Sequence, residues 1–272
     1  MKPSLFYAHV LTAANQQRCD VEEILDVVTA LGYRGVDLSW EQLSNEPKGL
    51  TSRLKHAGFQ IASIYKFCKF NEAFDRDEIK SFMESVAESG SQKAMIIPGF
   101  YRQNCNREIE LASMTEALSQ TCEIAHDYEV TVTLEDYDDP LSPCSNLPDF
   151  LRFFHNVPQL KCTLDTGNFI FDQSNLLTDV YPSLRDRIVH VHLKDRSKTP
   201  LTVGDTAFFE EGKNAVYSAP VGAGYIPIQE CLSLLHADSY DGFLTVEHFG
   251  AADQLDYIKR SVQWLNKTLM TF

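Results

Sequence analysis

Short apolar runs alternate along the chain with longer segments in which apolar residues recur at helical spacing. The apolar runs predict strands at residues 4–10, 35–39, 59–65, 94–97, 130–134, 160–164, 188–195 and 242–246. Between them, apolar side chains every three or four residues predict helices at residues 21–31, 50–56, 75–89, 106–128, 147–156, 176–184, 227–237 and 252–266. The pattern therefore predicts eight strand–helix units.

Strict alternation of strands and helices is typical of a parallel sheet, and eight units in 272 residues indicate a closed (β/α)₈ TIM barrel. No linker or change in composition divides the chain, so we expect residues 1–272 to form one domain. An open doubly wound sheet would need a glycine-rich loop after the first strand, and residues 8–15 contain no glycine.

The predicted strand at residues 188–195 alternates strictly at its centre. One face carries Val189, Val191 and Leu193, and the other carries His190, His192 and Lys194. A half-buried strand of an ordinary sheet would turn its polar face to water. Three nitrogen bases inside an apolar run indicate instead that this face lines an enclosed site.

The last inward position of four successive strands holds a side chain that can bind a metal. These residues are Glu135, Asp165, His192 and Glu247. Two residues earlier, at the next inward position, lie Thr133, Thr163, His190 and Thr245. Active sites of such barrels lie at the carboxyl ends of the strands, so we expect the four metal-competent groups to converge there.

Three converging carboxylates would repel one another or take up protons unless a cation lay between them. Three carboxylate oxygens and one imidazole nitrogen suit one divalent ion, namely Mn²⁺, Mg²⁺, Co²⁺ or Zn²⁺. With a neutral imidazole, such a centre retains about one net negative charge, by the ligand charges alone. This charge favours a neutral polyhydroxy substrate that chelates through its oxygens.

The formal net charge of −14 disfavours a nucleic-acid partner, and no run of Lys and Arg forms a local basic groove. No apolar run approaches the roughly 18 residues of a membrane span. The seven cysteines are odd in number and form no CxxC motif, so we expect reduced thiols and a cytoplasmic protein.

Four aromatic residues follow the second to fourth predicted strands: Trp40, Tyr65, Phe67 and Tyr101. Either they stack on a substrate or they pack as lids. We take Trp40 and Tyr65 as candidate substrate-binding residues. The segment 196–219 is longer than a barrel turn requires, which indicates either a specificity lid or a contact in a homo-oligomer.

At these residues the sequence resembles the xylose isomerase-like TIM-barrel superfamily, which includes sugar-phosphate isomerases, ketose 3-epimerases, inosose dehydratases, hydroxypyruvate isomerases and AP endonucleases. The motifs that carry the resemblance are Leu134-Glu135, Leu164-Asp165-Thr166-Gly167-Asn168, His190-Val191-His192-Leu193-Lys194-Asp195, VGAGYIP at residues 221–227, and Val246-Glu247. They occur in family order over essentially the whole chain and are specific for the superfamily rather than for one substrate.

The resemblance implies that Glu135, Asp165, His192 and Glu247 bind one divalent metal. It also implies that Glu135 and Glu247 lie on opposite faces of a sugar, where one removes a proton beside the carbonyl and the other returns it. Lys194 either binds a substrate oxygen or phosphate or extends to the barrel rim. His190, one layer deeper, is a candidate substrate-binding residue, or else it lies behind the metal ligands or in the core.

One residue departs from the family pattern, because Asn168 stands where members often have histidine. Its amide can hydrogen-bond a substrate hydroxyl but is a poor metal ligand and carries no proton. Asn168 and the acidic charge therefore both argue against AP endonuclease activity, which needs further histidines for a three-metal cluster.

We conclude from the sequence that the protein is a metal-dependent isomerase or epimerase of a small sugar, ketose or sugar phosphate. The reaction would proceed by proton transfer through an enediolate. Two alternatives remain. One is a lyase of the inosose dehydratase type, and the other is a barrel that binds a sugar without catalysis.

Overall fold

The computed structural model describes residues 1–169, 174–211 and 214–272. Its central sheet consists of β1 (Lys2–Phe6), β2 (Gly35–Ser39), β3 (Gln60–Phe67), β4 (Lys93–Ile97), β5 (Thr131–Glu135), β6 (Lys161–Asp165), β7 (Ile188–Ser197) and β10 (Phe243–Glu247). Neighbouring strands run parallel, and β10 pairs with both β1 and β7. The sheet therefore closes into the eight-stranded barrel that the sequence predicts.

Helices separate the strands and surround the barrel. They are α1 (Tyr7–Gln17), α2 (Val21–Ala30), α3 (Trp40–Asn45), α4 (Pro47–His56), α5 (Arg76–Ser89), α6 (Arg107–His126), α7 (Leu147–Asn156), α8 (Tyr181–Leu184), α9 (Ile228–Ala237) and α10 (Gln254–Leu269). A single turn of π-helix, Leu176–Val180, precedes α8. The (β/α)₈ fold is thus confirmed, with two short helices, α3 and α4, between β2 and β3.

The alternation of the strands separates an apolar layer from a polar interior. Outward residues such as Leu134, Leu164 and Val191 are completely buried beneath the helices. Inward residues of the same strands are polar and equally buried, and the Thr163 hydroxyl donates a hydrogen bond of 2.8 Å to that of Thr133. The main hydrophobic core therefore lies between barrel and helices, and the barrel interior is left for polar side chains.

The first strand is shorter than predicted. β1 ends at Phe6, and α1 begins at Tyr7. Tyr7, Val10 and Ala14 are buried on one face of that helix, at intervals of three and four residues. The prediction of a strand over residues 4–10 was wrong at its end. The apolar residues of so short a run fit the spacing of a strand and the spacing of a helix equally well.

The long segment predicted at residues 196–219 contains regular structure. β7 extends to Ser197, and two further strands, β8 (Ala207–Glu211) and β9 (Asn214–Ala219), form an antiparallel hairpin. β9 pairs with the end of β7, where Asp195 lies opposite Ala219. The hairpin thus continues the barrel wall above the strand ends, while residues 212–213 of the predicted segment lie outside the described residues.

All seven cysteines are free thiols. Within the described part of the chain, each helix is too short or too polar to span a bilayer.

Candidate metal centre

The structure brings together four side chains at the carboxyl ends of β5, β6, β7 and β10. One ligand atom from each of Glu135, Asp165, His192 and Glu247 lies within 4.8 Å of those of the other three. All four residues are buried. The Nδ1 atom of His192 is hydrogen-bonded to Oε1 of Glu135 and lies 3.7 Å from Oε2 of Glu247. This nitrogen therefore faces the carboxylates.

The register of the parallel strands produces this convergence. Asp165 of β6 pairs directly with His192 of β7. Glu247 of β10 pairs with Lys194, one inward position further along β7. Because barrel strands are staggered, residues from different levels of neighbouring strands meet around the axis.

The donor set fits a divalent cation. The Oδ1 atom of Asp165 accepts a hydrogen bond of 2.7 Å from the Gly167 amide, whereas its Oδ2 atom is buried and has no hydrogen-bond partner among the described residues. A buried carboxylate oxygen without a partner costs free energy that a coordinated ion would offset. Three carboxylates and one imidazole are also the hard-to-borderline ligands that Mg²⁺, Mn²⁺, Co²⁺ and Zn²⁺ accept.

The electrostatics of the four side chains favour bound protons. Burial and the neighbouring carboxylates raise the pKa of Asp165 well above its usual value, and burial with Glu247 raises the pKa of Glu135. Burial disfavours the imidazolium of His192, but Glu135 and Asp37 outweigh this cost and raise its pKa. A divalent ion would replace these protons as the source of positive charge.

Asp37 of β2 holds the metal-facing histidine from behind. Its Oδ2 atom accepts hydrogen bonds from Nε2 of His192 at 3.0 Å and from Nε2 of His190 at 2.7 Å, and the Thr245 hydroxyl donates to Oδ1 at 2.9 Å. Burial opposes the charge on Asp37, but the two imidazoles lower its pKa below the usual range. The ionised carboxylate thus fixes the proton of His192 on Nε2 and leaves Nδ1 for the carboxylate cluster.

A cavity of about 390 Å³ opens beside the cluster. Its lining includes Glu135 and Glu247 and an apolar wall of Phe6, Tyr65, Phe67, Met95, Ile97, Tyr137, Phe208 and Phe249. Tyr65, predicted to bind substrate, lies in this lining. Trp40, predicted with it, does not, because its ring packs against Phe82 and lies 4.2 Å from the Lys66 ammonium.

Lys194 and Asn168, two further predicted substrate-binding residues, also line the cavity. The Nζ atom of Lys194 lies 2.5 Å from Oε1 of Glu247, 2.6 Å from Oδ1 of Asn168 and 3.2 Å from Oδ2 of Asp138. Asn168 donates in turn to the backbone carbonyl of Asp136 at 2.7 Å. His190, by contrast, lies beneath His192 on Asp37 and outside the cavity lining.

Three charged residues of the site were not predicted from the sequence: Asp37, Asp138 and Arg196. The sequence pattern does mark two of them. Asp37 is an acidic residue at the centre of the apolar segment Gly35–Ser39, and Arg196 continues the two-residue period of His192 and Lys194. Asp138 lies in the loop after β5, where no period constrains the direction of a side chain.

The fold and the cluster define a class of protein, a (β/α)₈ barrel with a candidate metal centre at the carboxyl ends of its strands. The sequence matches the family described as "Xylose isomerase-like TIM barrel" over residues 25–268, and the chain belongs to this family. A comparison with curated proteins gave no significant match.

Solved structures with the same fold have low sequence identity to this chain. The probable 3-DHS dehydratase AsbF from Bacillus anthracis is 19% identical, with a TM-score of 0.74 over 98% of this chain and 99% of that one. The IOLI protein, solved with a zinc atom, is 18% identical, with a TM-score of 0.74 over 100% and 99%. L-Ribulose 3-epimerase is 15% identical, with a TM-score of 0.74 over 99% and 95%. At these identities the likeness shows the fold alone.

Proposed function

We propose that the protein is a metal-dependent isomerase or epimerase of a small sugar, ketose or sugar phosphate. The observation that carries this proposal is the placement of Glu135 and Glu247 beside His192 in the lining of one cavity. Two carboxylates at one site can remove a proton from carbon and return it from a different direction. The epimerase and zinc-containing structures of the same fold are consistent with this chemistry.

The residues proposed to hold one divalent ion (Mn²⁺, Zn²⁺, Mg²⁺ or Co²⁺) are Glu135, Asp165, His192 and Glu247. When bound, such an ion polarises the substrate carbonyl and stabilises negative charge on its oxygen. Glu135 takes the proton from the carbon beside the carbonyl and then releases it to solvent, and Glu247 delivers to the enediolate a proton that it takes from the Lys194 ammonium, which regains one from solvent. The two oxygens of Glu247 have different surroundings, because Oε2 lies near His192 and Oε1 contacts Lys194. Lys194 therefore orients the proton-carrying group, and Asn168 hydrogen-bonds a substrate hydroxyl.

The proposal is tested by incubating the metal-loaded protein with a panel of ketoses and aldoses in D₂O. We expect one deuterium per turnover on the carbon next to the carbonyl, detected by NMR together with the epimer or isomer. Conversion of a sugar without deuterium uptake would contradict proton transfer by two carboxylates that exchange their protons with solvent.

A lyase of the inosose dehydratase type is the second candidate. The observation in its favour is the Lys194 ammonium, 2.5 Å from Glu247, which can donate the proton that a departing hydroxide needs. The same deuterium experiment separates the two reactions, because a lyase product is lighter than its substrate by one water molecule.

We expect the affinity for Mn²⁺ to rise with pH. Glu135, Asp165 and His192 all have raised pKa values, so the ion must displace protons that the cluster still binds at acidic pH. For each proton displaced, affinity should increase up to about tenfold per pH unit below the pKa concerned. Titration calorimetry in two buffers of different ionisation enthalpy measures the proton release. A binding heat independent of the buffer would contradict this linkage.

Asp37→Asn should weaken Mn²⁺ binding by roughly 10- to 100-fold, because a neutral amide holds the Nε2–H group of His192 less firmly than a carboxylate does. Titration calorimetry at constant pH provides the measurement. Asp26→Asn, an exposed residue of α2, is the matched control and should bind the ion as the native protein does. Native affinity in a folded Asp37→Asn variant would show that Asp37 does not position the ligand.

A further inference from the structure

A second charged group lies in the cavity beside the candidate metal centre. It consists of Arg196, Asp138 and Lys194, which we call the cationic cluster. The guanidinium of Arg196 contacts Oδ2 of Asp138, and its Nε atom donates to the Gly167 carbonyl at 3.2 Å. Only 1% of Arg196 is exposed, and the ring of Phe208 lies 4.7 Å from the guanidinium carbon. A buried arginine is costly unless its charge is matched.

The charge of this cluster is not matched by its own members. Asp138 is the only carboxylate that contacts Arg196 in the described chain, and the same oxygen also contacts Lys194 at 3.2 Å. Lys194 reaches Glu247 as well, but that carboxylate belongs to the proposed metal ligands. Glu247 offsets the charge of Lys194, whereas Arg196 depends on one carboxylate, Asp138, that it shares with Lys194.

Arg196 also retains hydrogen-bonding capacity. Its Nε atom and one terminal nitrogen are paired, whereas Nη1 makes no hydrogen bond to any described residue. The residue lies in the cavity lining. A guanidinium with a free N–H edge is a binding group for an oxyanion.

The rest of the lining strengthens this interaction. It is formed largely by apolar side chains, among them Phe6, Phe67, Ile97 and Phe249. Apolar side chains lower the local dielectric constant, so a charge-assisted hydrogen bond in the cavity is stronger than one at the open surface.

We propose that the cavity selects a substrate with a carboxylate group, held by Arg196 and assisted by Lys194, at a distance from the carbon that reacts. This inference rests on the proposed function, since the hydroxyls and carbonyl of the same molecule would face Glu135 and Glu247. A carboxylate fits better than a phosphate ester, because it brings one negative charge rather than about two into a cavity whose two cations already share the carboxylates of Asp138 and Glu247.

Titration calorimetry on the Mn²⁺-loaded protein tests the inference with three probes of one carbon skeleton: D-glucuronate, D-glucose and D-glucose 6-phosphate. We expect D-glucuronate to bind at least about tenfold tighter than D-glucose, as one charge-assisted hydrogen bond provides. Arg196→Gln should remove this preference, and Arg196→Lys should keep part of it. Arg260→Gln, which removes an exposed arginine from α10, is the matched control and should keep the full preference.

Three results would overturn the inference. The first is equal binding of D-glucose and D-glucuronate, and the second is tighter binding of D-glucose 6-phosphate than of D-glucuronate. The third is a preference for D-glucuronate that survives Arg196→Gln, because the carboxylate would then bind the metal rather than Arg196. The first two need only the native protein, so a misfolded variant cannot conceal them.

Deuterium exchange is measured independently of these binding experiments. Exchange into neutral sugars without an acid preference would overturn this inference alone, and an Arg196-dependent acid preference without exchange on any sugar would overturn only the proposed function.

Discussion

Glu135→Gln and Glu247→Gln should each abolish the exchange of solvent deuterium into the substrate. Glutamine has nearly the same shape but cannot accept the proton from carbon or return it. Positioned general bases contribute roughly 10²- to 10⁴-fold to a rate, and we expect each variant to lose at least that factor. The measurement is deuterium incorporation by NMR or mass spectrometry on the sugar that the native protein converts.

The control must separate lost proton transfer from lost metal, because both residues are also proposed ligands. Each variant is therefore assayed at saturating Mn²⁺, with its metal content measured by elemental analysis. Glu84→Gln, an exposed residue of α5, removes the same charge from the surface and should leave exchange unchanged. Exchange that persists in both metal-loaded site variants would rule out the enediolate mechanism with these two carboxylates.

The barrel could be predicted from the sequence because each strand repeats one physical pattern. In β5, in β6 and over residues 189–194 of β7, every second side chain is apolar and covered by helices, and the others are polar and point inward. When neighbouring parallel strands have the same alternation of inward and outward side chains, their last inward residues lie together at the carboxyl end of the barrel. Glu135, Asp165 and His192 could therefore be predicted as neighbours without knowledge of any distance.

The parts that could not be predicted depend on contacts between distant segments. Tyr7–Gln17 is helical because its apolar face packs on the barrel, which a short run of residues does not reveal. The hairpin of β8 and β9 forms because β7 continues past Asp195 and offers an edge. Trp40 lies outside the cavity because α3 begins at that residue and directs it towards Phe82.

Strand β7 supplies one residue to each part of the site. His190 hydrogen-bonds Asp37, and His192 belongs to the candidate metal centre. Lys194 contacts Glu247, and Arg196 contacts Asp138 within the cationic cluster. The four point the same way because strand side chains alternate. The orientation of the strand end is therefore critical for both the proposed metal chemistry and the proposed substrate selection.

Asp195, the outward neighbour of Lys194 and Arg196, holds that strand end in place. Its Oδ2 atom accepts hydrogen bonds from the amides of Gly222 at 2.9 Å and Gly224 at 2.8 Å. Its Oδ1 atom accepts from the amides of Arg196 at 2.8 Å and Ile226 at 3.2 Å. The loop approaches so closely that a Cβ atom on Gly224 would lie 2.1 Å from Oδ1 of Asp195. The VGAGYIP motif thus serves to wrap backbone amides around this carboxylate.

Asp195→Ala should lower the free energy of unfolding by about 3–5 kcal/mol, because it removes a buried carboxylate that accepts four backbone hydrogen bonds, three of them partly buried. Urea denaturation of the metal-free protein provides the measurement and avoids any contribution from a bound ion. Asp186→Ala, an exposed residue just before β7, is the matched control and should change stability by less than about 0.5 kcal/mol. A loss of less than about 1 kcal/mol in Asp195→Ala would mean that water can replace the carboxylate, since each unsatisfied buried donor otherwise costs about 1–3 kcal/mol. The strand end would then be held by β9 alone.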